Sequence, residues 1–172
     1  MNPRRFALVG GIVMLVMGVL ALMPSLSQVN DQLPPLTLNT SYGLFLGIIP
    51  MNIINKLALI VFGLAGIGAT LSATRSLPRS ILFSKAVAYV MGAGAILGLI
   101  PATQLFFGYW PLYGADVALH AIFAAMGAYF GFMLTAKAKQ ANEAKFGKDD
   151  GMIDLEMRRE ANKKAHDPRK SA

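Results

Sequence analysis

The stretch GIIPMNIINKLALIVFG at residues 47–63 returns in altered form as GYWPLYGADVALHAIFA at residues 108–124. Gly47 aligns with Gly108, Pro50 with Pro111, Asn55 with Asp116 and Phe62 with Phe123, all 61 positions apart, and Gly66 keeps the spacing with Gly127. The segment before it also recurs. Phe6 aligns with Phe83, Val13 with Val90, Met14 with Met91, Leu20 with Leu97 and Pro24 with Pro101, at a spacing of 77. The difference (77 − 61 = 16) is a longer first connection. The chain therefore reads as two tandem hairpins.

What the hairpins are made of follows from the apolar runs. Hydrophobic residues make up 55% of the 172-residue chain, well above a soluble domain. They gather in runs at about residues 6–23, 51–71, 81–100 and 115–136, each near the ~20 residues a helix needs to cross a bilayer. In lipid only helices or closed barrels satisfy their backbone, and these unbroken runs lack the alternation of barrel strands. The expected fold is all-α: a four-helix integral membrane bundle over residues 1–136, followed by a charged, partly helical tail at residues 137–172.

Charge sets the expected orientation. The net charge is +7. The tail holds ten basic and seven acidic residues, a balance of +3, and the remaining +4 lies mostly beside helix ends. That placement fits topology and gives no reason to invoke nucleic acid. Arg4 and Arg5 precede the first span; Arg75, Arg79 and Lys85 lie at the join of the second and third; Lys137, Lys139, Lys145 and Lys148 follow the fourth. The loop at residues 24–45 carries Asp31 alone, and the loop at 101–114 carries no charge. Positive charge favours the cytoplasmic side, so both termini and the middle connection are expected inside. Each hairpin then starts inside, which makes the repeats parallel, related by an axis along the membrane normal. The basic start and apolar run at residues 1–28 also resemble a signal peptide, with Ser25-Leu26-Ser27 as a small-residue site. Retention is expected, because the first span is half of a repeat.

Pro50 and Pro111 suit first helical turns, where no amide donor is needed, and Pro24 and Pro101 are expected to stop the first and third helices. Phe106, Phe107, Tyr109, Trp110 and Tyr113, with Tyr42 and Phe45 in the first half, read as an interfacial aromatic belt. Gly94 with Gly98, and Gly127 with Gly131, place small residues one helical turn apart. Such spacing lets helix backbones approach closely in lipid, for packing within the chain first and for a homo-oligomer second.

Asp116 and His120 stand four apart and share a helix face. Asn52, Asn55 and Lys56 occupy the matching part of the second span. A charge at membrane depth is costly and generally faces a partner in the bundle, so these five residues are expected to form one polar intramembrane cluster. It serves either as a clamp between the hairpins or as a proton- or ligand-handling site. Lys56 can alternatively snorkel to the interface and leave Asp116 to His120.

Several chemistries lack their residues. There is no cysteine, hence no thiol catalysis, disulfide exchange or cysteine metal site. No P-loop, His-Glu-x-x-His or nucleophile elbow is present. Haem in a bundle commonly takes two axial ligands, and only His120 lies at membrane depth. A single tetrapyrrole magnesium remains compatible with His120. Met14, Met17 and Met23 read as packing. In the tail, Asp154 with Arg158 and Glu160 with Lys164 have the spacing of a solvated helix.

The Gly-x-x-Pro pattern, followed by Asn or Asp and then a helix histidine, resembles a bacterial family of four-helix membrane proteins catalogued as a domain of unknown function. The resemblance covers roughly residues 5–136. In the second hairpin Pro111, Leu112, Gly114, Ala115, Asp116 and His120 fit its pattern, while Tyr113 and Val117 depart from it. In the first, Pro50 and Asn52 fit, and Asn55 and Leu59 stand where histidines are usual. The family implies no activity. The expectation is a non-enzymatic accessory or scaffold protein of the bacterial inner membrane, with the bilayer and other membrane subunits as partners, no metal and no cofactor. A small transporter using Lys56, Asp116 and His120, or a pigment-binding subunit using His120, are the alternatives.

Overall fold

The computed structural model describes residues 2–29, 32–72, 74–137, 140, 155–160 and 162. It divides into two compact units, Met1–Leu134 and Thr135–Ala172. In the second unit residues 155–160 are helical and exposed. Asp154 and Lys164, each half of a predicted tail pair, lie outside the described residues.

Helix α1 (Pro3–Ala21) starts before its apolar run because Asn2 caps it, its Oδ1 accepting from Arg5 N at 2.9 Å, with Pro3 in the first turn. Met23 is extended ahead of Pro24, as a pre-proline residue prefers, and Pro24–Leu26 form a 3₁₀ turn. Three short strands follow: β1 (Ser27–Gln28), β2 (Gly43–Phe45) and β3 (Ile49–Met51). They pair antiparallel in the order β1-β2-β3, with Ser27 opposite Phe45 and Leu44 opposite Pro50. This sheet departs from the all-α expectation. Strands of two and three residues are too short to show alternation in a sequence.

Helix α2 (Ile53–Thr70) is capped by Asn52. Pro50 is therefore not in a helical first turn. It sits in β3, an edge strand, where a missing donor is tolerated. Pro111 likewise lies ahead of α4 (Ala115–Ala128), which begins after Gly114 at φ 63°. In both hairpins the asparagine or glycine nearer the helix, not the proline, marks the start.

Helix α3 (Ser76–Leu99) opens five residues before its apolar run. Pro78 falls in its first turn, where proline is tolerated, and the polar residues Ser76, Arg79 and Ser80 extend it. It ends at Ile100, extended ahead of Pro101. Helix α4 continues through a π turn at Tyr129–Met133, and the helical span reaches Lys137.

Helix α1 packs along α2 and α3 along α4, with lesser contact between α1 and α3 and between α2 and α3. Small residues carry the tight pairs. A Cβ at Gly66 would lie 2.7 Å from Ala7 O, and one at Gly127 would lie 2.7 Å from Ser84 O. Gly94 faces the His120 ring, Gly98 faces Leu112 O and Val117, and Gly131 faces the stem and backbone of Lys85. All four glycines of the predicted small-residue spacings thus lie at the α3–α4 contact. Gly11, Gly18 and Gly63 serve the α1–α2 contact in the same way. The core runs through Phe6, Met14, Phe83, Val87, Phe123 and Phe130, with Phe6 stacked on Phe130 at 5.0 Å between ring centres.

Four helices are long and apolar enough to cross a membrane: Pro3–Ala21, Ile53–Thr70, Ser76–Leu99 and Ala115–Lys137. Only 28–39% of each span is buried, so most of each helix presents apolar side chains outward. Val9, Val16, Leu64, Leu82 and Ile96 are among them, each about half exposed or more. A water-soluble surface rarely carries apolar patches of that extent.

Candidate functional site

The polar residues singled out in the sequence lie where α2 and α4 begin, beneath the two long connections. Asn52 is fully buried. Its Oδ1 accepts from Ile54 N at 3.0 Å and Asn55 N at 3.4 Å, and Asn55 Oδ1 accepts from Asn52 N at 3.1 Å. That is a reciprocal capping box on α2. The two hydrogens on Asn52 Nδ2 then reach out of the helix, to Leu38 O at 3.0 Å and Tyr109 O at 2.7 Å. One side chain therefore caps α2 and ties both connections to it. Asn55 adds a third tie, its Nδ2 donating to Pro111 O at 3.4 Å.

The backbone is shaped for this closeness. Leu38 N donates to Gly108 O at 3.1 Å, and a Cβ at Gly108 (φ 85°) would collide with Thr37 Oγ1. Leu46 and Gly47 have φ of 52° and 76°; Phe107 and Gly108 have φ of 57° and 85°. Phe106 is also positive, at φ 40°, so a run of two left-handed residues precedes Pro50 and a run of three precedes Pro111.

Lys56 is fully buried yet does not reach Asp116. Its Nζ donates to Ser41 O at 2.7 Å, Ser41 Oγ at 2.8 Å and Ser27 Oγ at 3.4 Å. Three donors meet three acceptors, so the ammonium is hydrogen-bonded without a carboxylate. Ser27 Oγ in turn donates to Ala21 O at 2.8 Å. Lys56 thereby joins α2 to the first connection and to the end of α1.

Asp116 and His120 form a separate buried pair on α4. His120 Nδ1 lies 2.9 Å from Asp116 O and 3.1 Å from Asp116 Oδ2. Two acceptors at one nitrogen fix the proton there, and Nδ1 donates to the main-chain carbonyl. Asp116 Oδ2 lies off that axis, close to Nδ1 without a hydrogen bond. The Trp110 Nε1–H is likewise buried without a partner. Both residues, with Asn55 and His120, line a small chamber of about 20 Å³, room for about one water. Among the described residues no group of three His, Cys, Asp or Glu side chains comes together.

The structure therefore separates the five predicted residues into a cap (Asn52, Asn55), a tether (Lys56) and a pair (Asp116, His120). Ser27, Ser41, Trp110 and Tyr113 complete the site and were not picked as site residues. Tyr42 and Tyr113 share a hydrogen bond at 2.6 Å between their hydroxyls, joining the two connections again. Burial first, and then this bond, push the Tyr42 phenol well above its ordinary range; burial also pushes Tyr113 up. Phe45, expected in the aromatic belt, is instead a core residue at 3% exposed, because β2 turns it inward. Phe107 and Tyr109 are exposed as a belt requires.

No curated protein and no solved structure matches this chain. A family model covers residues 4–133, which hold nearly the whole of the four-helix bundle and the whole polar site: the chain belongs to the family described as Domain of unknown function (DUF4383).

Proposed function

We propose that the protein is a non-enzymatic, multi-pass component of the bacterial inner membrane, an accessory or scaffold subunit with both termini in the cytoplasm. The observation that carries this reading is how the polar groups are used. Asn52, Asn55 and Lys56 direct their donors to loop carbonyls and hydroxyls, fixing a rigid cap over the bundle. A rigid face above an apolar belt suits holding a neighbouring subunit. The basic residues beside the opposite helix ends support the cytoplasmic placement of both termini. An internal duplication is supported by positive φ at two corresponding positions, Leu46 with Phe107 and Gly47 with Gly108. It is also supported by Gly66 and Gly127, which approach Ala7 and Ser84, positions that correspond in the two repeats.

The test is native mass spectrometry of the protein gently extracted from its own membrane. A heavier species containing another chain is expected. A bare monomer or homo-oligomer overturns the accessory role.

One observation favours a second reading, proton or ion handling. Asp116 Oδ2 is buried beside His120 with no hydrogen bond of its own. Lys56 takes no part in it, being held by Ser41. Asp116→Asn separates the readings. A clamp loses thermal stability, whereas a transporter keeps its fold and loses flux across proteoliposomes.

A further inference from the structure

The 20 Å³ chamber has a larger neighbour. A groove of about 330 Å³ runs between α2 and α3, and Ala58, Met91, Trp110 and His120 line both spaces. Its volume falls in the range of small-molecule sites. Apart from Trp110, His120 and the largely exposed Tyr89, its walls are apolar. Phe62 also lines a second groove of about 520 Å³ farther along α2 and α3. An elongated apolar tail therefore has room to continue.

The chamber specifies the head group. Trp110 Nε1–H is only a donor and Asp116 Oδ2 is an acceptor, and both are buried without a hydrogen bond. A hydroxyl satisfies both at once, accepting from the indole and donating to the carboxylate oxygen. No Lys or Arg lines the chamber or the 330 Å³ groove, and Asp116 stands at the chamber wall. A carboxylate or phosphate head would meet a like charge and no counter-charge. A carbonyl head would satisfy Trp110 and leave Asp116 unpaired.

We propose that the α2–α3 groove and the chamber behind it bind a neutral lipid-soluble alcohol, a long isoprenoid or alkyl chain ended by one hydroxyl. The hydroxyl sits between Trp110 Nε1 and Asp116 Oδ2, and the tail lies along Ala58, Phe62, Val90 and Ala93. His120 holds Asp116 in place from the side of α4. The binding site goes beyond the accessory role and stands whether or not a protein partner is found.

Trp110 is the one tryptophan in the chain, so its fluorescence reports the site directly. The probe is hexadecanol brominated near its hydroxyl end, titrated into full-length protein in phosphatidylcholine nanodiscs. Palmitate brominated at the same carbons is the control. Incorporation into nanodiscs with helical circular dichroism checks the membrane reading separately. The expected result is saturable quenching by the alcohol and only weak, non-saturating quenching by the acid. Asp116→Leu is expected to weaken the alcohol about tenfold, the effect of one lost hydrogen bond. Ala93→Leu narrows the groove from a lipid-exposed position and leaves the core untouched; it is expected to remove the saturable component. Quenching that rises without saturation and equally for both probes overturns the site, as does saturable quenching indifferent to Ala93→Leu. Equal saturable quenching by the acid overturns the hydroxyl head.

Discussion

At the scale of single residues, Asn52 carries the most. As a helix cap alone, it would be replaced by aspartate at almost no cost, since Asp caps as well as Asn. Here its amide hydrogens are needed by Leu38 O and Tyr109 O, and a carboxylate would repel both. Asn52→Ala is expected to cost about 3 kcal/mol, about 1 for the cap and the rest for buried carbonyls left unpaired. Asn52→Asp is expected to cost at least as much; unfolding in detergent that leaves the aspartate variant near wild type would disprove the bridging role. The Tyr42–Tyr113 pair gives a pH test. Both phenols are raised in the fold, so the folded protein holds their protons more tightly than the unfolded chain. Their contribution is complete below the ordinary phenol value near ~10 and is lost as pH rises toward the folded values. Ultraviolet titration should show the Tyr42→Phe/Tyr113→Phe variant lacking a tyrosinate component that appears well above pH ~10 in the wild type.

At the scale of elements, glycines separate contact from mere composition. Gly127→Ala places a methyl 2.7 Å from Ser84 O and Ala88 N, which are backbone and cannot yield without moving α3. A loss of about 1–3 kcal/mol is expected, with a lower melting temperature in detergent. Gly68→Ala meets nothing within 4 Å and is expected to be neutral or mildly stabilising. Equal effects of the two would refute the packing argument. The same glycines show what a sequence carries at this scale. Gly94, Gly98, Gly127 and Gly131 were legible because small residues one turn apart have a periodic signature. The i, i+4 relation of Asp116 and His120 was legible for the same reason. The partners of Lys56 were not. Ser41 and Ser27 lie 15 and 29 residues away, in a turn and in a two-residue strand, and a charge-based reading looks for a carboxylate. The three-stranded sheet escaped because its register comes from turns, not from alternation. The matched glycine–proline segments did carry a signal, but they mark paired positive-φ turns rather than helix starts.

At the scale of the whole molecule, the chain's lack of cysteine makes orientation directly testable. Single-cysteine variants at Phe107 and at Arg79, both exposed, should respond oppositely to a membrane-impermeant maleimide added to intact cells. Labelling at 107 and protection at 79 are expected; the reverse pattern would invert the topology. The larger lesson lies in how the helices are distributed. Each hairpin is internally tight, the contacts between hairpins are sparser, and Asn52, Leu38 and Tyr42 reach across to Tyr109, Gly108 and Tyr113 at the capped end. Under the proposed duplication, a molecule so arranged corresponds to a dimer written in one chain. The link between Leu71 and Arg75 is then expected to be dispensable for assembly. Two polypeptides broken at that link and made in the same cell should find each other, and Asn52→Ala in the first half should weaken their recovery as a pair.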